Sequence, residues 1–467
     1  MDSNPFATSR AQEPVVLGAI ENYFWRFDQD LSGTARVAVL LRLNGCIETE
    51  FLARALSELQ LRHPKLRAGM AEGADGRLRY HFQPAVPPIP LAMVDYFDEE
   101  AQWREATREL LQREMPAGGP LAAVTVLRNR QRNTSELIFM FAHAIADGMS
   151  AIMLLHELLT AYARAEAHLE SPPPQSLPLI TSPRVTQPAT WRNRLRLLRR
   201  FARIMREEDR LGVTSLPEAA GIAPQSQWVH WVFSREQTLS LVRRCRKEET
   251  SFGGTLVAAV FCGLMDCLDV PEALFKWQLP FNLRENLEGP HGKLHQDLGC
   301  FISGMNALSR VPAQPSFWEV ARQAHQEIQS FMRAGGPIFA YTVSSFLYSV
   351  RAMISRFLSR REPRLTPSTR HRETLGTTHY GVVNISEAYG TLGPRECTLL
   401  FNHEVGGPSL IIEGLVLGQR LNIGFAADDL EPAFWQRLHA AVRRHLDSAM
   451  SAEPSKAQSI SARLSAS

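Results

Sequence analysis

Phe141-Ala-His143-Ala-Ile-Ala-Asp147-Gly148-Met-Ser150 joins two different hydrophobic periods. Before it, Glu136-Leu-Ile-Phe-Met-Phe141 is a short apolar run of the kind that makes a fully buried strand. After it, Ile152, Leu154, Leu155, Leu158, Leu159 and Tyr162 recur at helical spacing. Such a chain leaves a strand, presents an imidazole, a carboxylate and a glycine, and restarts as a helix. His143 then sits at the rim of a sheet beside helix N-terminal amides, which can bind a developing anion. Asp147 or Ser150 can cap the helix, and Gly148 eases the turn. The competing reading of His143 is a satisfied core histidine. No further His, Cys or acidic cluster completes a metal site with His143 and Asp147, so no metal is expected.

The surrounding chain is long enough, at 467 residues, for two substantial lobes. Its six cysteines form no Cys-x-x-Cys pair, which argues for a reducing compartment and against structural zinc. The first residues have no basic segment followed by an apolar core, so no secretory signal is expected. The most apolar stretch, Ile338 to Val350, is too short to span a bilayer. A cytoplasmic location, with membrane association as an option, follows as the expectation. The net charge of +3 is uneven: residues 184–210 and 351–372 each carry +6, which leaves the remainder acidic.

Outward from the central stretch, residues 34–44 alternate as a half-buried strand, with Arg36 and Arg42 opposite Val37, Val39, Leu41 and Leu43. A helix is expected over 48–62, short strands near 66–71 and 77–83, a helix near 97–114 and a strand at 121–128. Residues 171–190 hold six prolines and read as a linker. In 191–206, Trp191, Leu195, Leu198, Phe201 (or Ala202) and Met205 trace one stripe among many arginines, a basic amphipathic helix. The simplest expectation for it is a solvated helix covering the join between lobes. Contact with a membrane surface, or docking of an acidic partner such as a carrier protein, are the alternatives. The second half reads as a strand at 227–234, helices at 235–248 and 254–268, and a strand from Phe275 that breaks at Pro280. Helices at 316–333 and 338–359 follow. Strands near 380–386, 397–404, 410–418 and 420–427 and a helix at 431–449 end the pattern. The expected organisation is an N-terminal lobe over 1–180, a linker over 181–225, a C-terminal lobe over 226–450 and a disordered tail over 451–467. Both lobes mix strands with covering helices, an α/β architecture.

His143-Ala-Ile-Ala-Asp147-Gly148 resembles the His-x-x-x-Asp-Gly core of the chloramphenicol-acetyltransferase-like superfamily. That group includes nonribosomal-peptide condensation domains, polyketide-associated and mycobacterial acyltransferases, plant acyltransferases and wax-ester synthases. Many members carry two consecutive histidines; Ala142 replaces the first here. Leu61-Arg-His63-Pro64-Lys-Leu66-Arg67 resembles the superfamily's Arg-His-Pro-x-Leu-Arg segment, and Leu279-Pro280-Phe-Asn282-Leu-Arg284 its Pro-x-Asn-x-Arg segment. Leu298-Gly-Cys-Phe301 stands at its Gly-Asn-Phe-type element, with Cys300 for Asn. Leu421 to Asp428 resembles the closing segment. The sequence lacks the Asn-Asp-Val-type motif of wax-ester synthases near 252–260 and the Asp-Phe-Gly-Trp-Gly-type motif of the plant branch.

The resemblance implies two lobes in a V, each a mixed, largely antiparallel sheet covered by helices, with a tunnel between them and His143 midway. It also implies that Asp147 pairs with Arg284 and holds the lobes in register. The expected chemistry is acyl transfer from a thioester of CoA or phosphopantetheine, bound as substrate and not as cofactor, to a hydroxyl. The acceptor would be a small molecule or lipid, and any acyl carrier protein would act in trans. His143 would be the base and the Gly148 amide the anion donor. Ser150 and Asn282 are candidate substrate contacts. The alternatives are a stand-alone nonribosomal-peptide-type condensation enzyme forming an amide (or ester) between carrier-bound partners, and a non-catalytic carrier-docking module. No nucleic acid partner is expected, and a monomer is.

Overall fold

The computed structural model describes residues 13–30, 35–83, 87–96, 100–116, 118–171, 175–219, 226–294, 297–357, 373–401 and 408–451. Two large sheets organise the chain. One has five strands in the spatial order Gly393–Phe401, Arg36–Asn44, Thr134–Ala142, Ala122–Asn129, Leu91–Asp95. Only its last pairing is parallel. The other has six, in the order Ile302–Pro312, Glu272–Asn282, Leu375–Val382, Leu410–Leu417, Arg420–Ala427, Gln227–Val232, with two parallel pairings in the middle. Thr49–Arg62 packs against Gly148–Glu166 over the first sheet. Phe252–Cys267, apolar on all sides, is buried between Phe317–Arg333 and Pro432–Met450 beside the second. The mixed, largely antiparallel α/β architecture is the one expected.

Arg36–Asn44 corrects the half-buried reading. It is a central strand buried on both faces, and its arginines are enclosed with their partners. Arg36 Nε lies 3.1 Å from Asp28 Oδ1, and its Nη1 donates to the Leu111 carbonyl at 2.7 Å. Arg42 bonds Glu136 and Glu396 on the two flanking strands, both at 2.9 Å. A charge on a buried strand is tolerated because it is paired on the spot.

Gly393–Phe401 was expected with the second lobe's strands, yet it pairs antiparallel with Arg36–Asn44 in the first sheet. Glu413 ties it back to the second sheet: Thr398 Oγ1 donates to Glu413 Oε1 at 2.6 Å and the Leu399 amide at 3.2 Å. Burial pushes the Glu413 carboxyl up to about 8. The strand expected at 380–386 lies at Leu375–Val382. Glu272–Asn282 does not break at Pro280, because its parallel neighbour pairs only with Trp277 and Gln278 and needs no N–H at 280. Ala19–Asp30, Leu91–Asp95 and Ile302–Pro312 are elements the hydrophobic pattern did not reveal.

The basic helix runs from Trp191 to Leu211, but it does not cover the join with its apolar stripe. Leu197 enters the second core, Arg200 pairs with Glu327, and Glu208 is buried with Lys276 at 3.1 Å. The stripe of Trp191, Leu195, Leu198 and Phe201 is exposed. The tail over 452–467 and most of the second arginine-rich segment, 358–372, lie outside the described residues.

Candidate active site

The central strand Thr134–Ala142 ends one residue before His143, whose amide still donates to the Ala35 carbonyl at 2.9 Å. That bond fixes the backbone where the side chain leaves the sheet. The imidazole is buried, 9% exposed, beneath the ring of Phe24, which stacks on it at 4.1 Å and 14°. Its Nδ1 faces Cys300 Sγ at 3.7 Å. His143 thus lies between the first sheet, the Ala19–Asp30 helix and the loop before Ile302–Pro312. Burial holds its pKa below the ordinary histidine value, outweighing nearby carbonyls and the Asp147 carboxylate, so the ring is neutral at pH 7.

Four residues on, Asp147 caps Gly148–Glu166, accepting from the Ser150 amide at 2.8 Å. Arg284, from the other half of the chain, meets the same carboxylate through two parallel bonds of 2.8 and 3.0 Å. The Phe301 amide adds a third donor at 3.0 Å. Burial alone would raise the Asp147 pKa; the guanidinium and the amides outweigh it and hold the carboxyl below its usual range. The pairing implied by the resemblance is therefore present, fully buried and bidentate.

Ser150 and Asn282 both bond Arg284. The Ser150 hydroxyl is buried, donates to the Gly299 carbonyl at 2.8 Å and lies 2.7 Å from Arg284 Nη2. Asn282 Oδ1 accepts from the Arg284 amide at 3.1 Å and from its Nη1 at 3.2 Å. Both hold the Asp147–Arg284 pair.

Gly148 stands where no side chain fits. A Cβ there would lie 2.3 Å from the Tyr380 hydroxyl and 2.6 Å from two ring carbons. Tyr380 comes from the second sheet, so this glycine permits the halves to meet. Gly148→Ala is expected to cost about 1–3 kcal/mol through overpacking, read as a lower urea midpoint. Adding Tyr380→Ala should restore part of that loss, whereas Tyr380→Phe should not, because the ring carbons remain. An unchanged midpoint in Gly148→Ala would refute the contact.

The Arg-His-Pro segment supports the site from below. His63 Nε2 lies 2.8 Å and Arg62 Nε 3.1 Å from Glu157 on the helix after the His143 loop. Lys65 is buried, bonds Glu21 at 2.5 Å and faces the Phe301 ring at 5.5 Å. The resemblance located this segment without saying what it does. Phe24, Glu21 and Tyr380 were missed. Glu21 and Asn22 are polar but buried, which hides the period of their helix.

A two-lobe, chloramphenicol-acetyltransferase-like acyltransferase fold is what these sheets and this loop define. The solved trichothecene 15-O-acetyltransferase TRI3 of Fusarium sporotrichioides has it, with a TM-score of 0.69 at 11% identity, covering 94% of this chain and 95% of that one. So does the starter condensation domain of rhizomide synthetase, solved with C8-CoA and Leu-SNAC, with a TM-score of 0.56 at 15% identity over 94% of each chain. A model of the condensation-domain family matches residues 29–336, and the chain belongs to that family. Among curated proteins it is similar to chondramide synthase cmdD of Chondromyces crocatus, 25% identical over 185 residues. That match covers 39% of this chain and 4% of the synthase.

Proposed function

We propose that the chain transfers an acyl group from a thioester, acyl-CoA or acyl-carrier protein, to the hydroxyl of a lipid or secondary-metabolite acceptor, forming an ester. The observation that carries this reading is a buried imidazole, set between Phe24 and Cys300 at the junction of the two halves, where burial lowers its pKa. A hydroxyl is a poor nucleophile until its proton leaves, and a thioester carbonyl is a ready electrophile. Nδ1 is turned to Cys300, so Nε2 takes the acceptor's proton as its oxygen attacks the carbonyl carbon. The tetrahedral anion accepts from the Gly148 amide at the helix N-terminus. It then collapses, breaking the C–S bond, and the imidazolium returns the proton to the leaving thiolate. Asp147 is fully engaged by Arg284 and organises the loop without moving protons.

A second reading is favoured by the family itself: amide formation between carrier-bound partners. One experiment separates the two. The purified chain is given acyl-CoA or acyl-phosphopantetheine carrier as donor, with an alcohol and an amine in competition, and products are identified by mass. Ester as the main product is expected. Amide as the main product would replace the first reading with the second. No transfer from either donor to either acceptor would favour a docking module.

A further inference from the structure

The Trp191–Leu211 helix is about 30 Å long at 1.5 Å per residue and is attached to the body along one side only. At about 100° per residue, Leu197, Arg200, Ile204 and Glu208 share the attached side, where Leu197, Ile204 and Glu208 are buried. Trp191, Leu195, Leu198 and Phe201 share another side and are 71%, 41%, 51% and 60% exposed. Such a run of large apolar side chains on a surface marks a contact site. Between the two sides lie Arg192, Arg196, Arg199, Arg203 and Arg206, all exposed. Among the described residues none of these five has an acidic partner, and Arg192 lies over the Trp191 ring at 5.4 Å. The acids Glu207 and Asp209 fall at the far end, beyond the apolar stripe. Helix Gly336–Phe357 touches this one.

We infer that this helix seats the protein on the surface of an anionic lipid bilayer. The apolar stripe would lie in the headgroup boundary, with the arginine flank on the phosphates. Trp, Phe and Leu on one side with arginines beside them is the pattern of helices that lie in a membrane interface. The exposed stripe runs from Trp191 to Phe201, about three turns on the outside of the helix, which suits a broad fluid surface. The positive charge complements anionic headgroups. Among the described residues no single helix is long and apolar enough to cross a bilayer. This inference does not depend on acyl transfer.

The test is co-sedimentation of the full chain with vesicles of phosphatidylcholine alone or containing about one-third phosphatidylglycerol. Binding at least tenfold tighter to the anionic vesicles is expected, weakening as salt rises. Trp191→Ser/Phe201→Ser should lose at least tenfold of that binding with its thermal midpoint unchanged, because both side chains are already in water. Arg196→Glu/Arg199→Glu should lose it as well. Equal binding to both vesicles, no binding to either, or full binding by the Trp191→Ser/Phe201→Ser variant would each overturn the inference. So would capture by an acidic carrier protein that needs the same side chains while vesicles fail to bind.

Discussion

His143→Ala is expected to lower turnover by about 10²–10⁴-fold, the usual contribution of a positioned general base, while leaving a folded protein. The two halves of that statement rest on different observations. Turnover falls because the acceptor's proton then has no nearby base: Asp147 is bound by Arg284, Ser150 and Phe301. The fold survives because the lost ring is neutral, so its removal strands no buried charge, and its main chain bond to Ala35 is kept. Thiol release from the donor reports the first, and the urea midpoint the second. A folded, fully active variant would end the base assignment. The size of the drop also bears on the product, since an amine is nucleophilic when neutral and asks less of the base. A loss near the lower end would point toward amide formation.

The same ring sets the pH profile. Burial lowers the His143 pKa, so the neutral form persists below the ordinary value near 6.5, and activity should decline only as pH falls through the depressed value. The stability term has the same sign: it is complete above the unfolded pKa and is lost as pH falls through the folded one. Phe24 supplies part of that burial. Phe24→Ala should therefore move the acid limb of the rate profile to higher pH, toward the ordinary histidine value. An unmoved limb would mean that the group titrating in the profile is not His143.

How much of this was legible beforehand depended on whether a residue's role was local. The strand, the exposed motif and the following helix are contiguous, and a switch from buried run to helical spacing shows at once. Trp191, Leu195, Leu198 and Phe201 were legible as a stripe, but not the direction it faces, because a stripe looks the same against a core or in water. Arg36 and Arg42 misled for a related reason: alternation marks them as the wet side of a strand, and only their partners make them interior, Asp28 on the preceding helix and Glu136 and Glu396 far along the chain. Gly393–Phe401 crosses to the first sheet to pair with residues some 350 positions earlier, and nothing local records that. Ile302–Pro312 alternates in burial at its start, but Ser303 and Gly304 interrupt the apolar pattern. At the site, Asp147 and Arg284 were paired through the resemblance alone. Phe24 was out of reach because its helix buries Glu21, Asn22 and Asp28 and so shows no clean apolar period.

Asp147→Ala and Arg284→Ala are each expected to destabilise the fold by about 3–5 kcal/mol, the effect of stranding one charge of a buried pair. A domain commonly has only about 5–15 kcal/mol in total, so both variants should lose much of their soluble yield. The network makes the effect reach across the molecule. With the carboxylate gone, Arg284 still lies among the Ser150 hydroxyl and the Gly299 carbonyl but loses its bidentate counter-charge, with only the half-buried Asp297 carboxylate left nearby, and the amides of Ser150 and Phe301 lose their acceptor. With the guanidinium gone, Asp147 keeps those amides but sits buried with an unbalanced charge. Arg284→Lys should not rescue, because one ammonium cannot make the two parallel bonds of 2.8 and 3.0 Å. Asp147→Ala/Arg284→Met removes both charges, and its urea midpoint should lie above that of either alanine variant. The pH response separates this pair from His143. The Asp147 pKa is lowered in the fold, so its contribution is complete above the unfolded value near 3.8 and fades only as pH falls below it. From pH 7 to 5 the midpoint difference between parent and Asp147→Ala should therefore stay constant. A difference that shrank across that window would mean that the carboxyl is not the ionised partner of Arg284, and if both alanine variants kept the parent's midpoint, the pair would not be what joins the two halves.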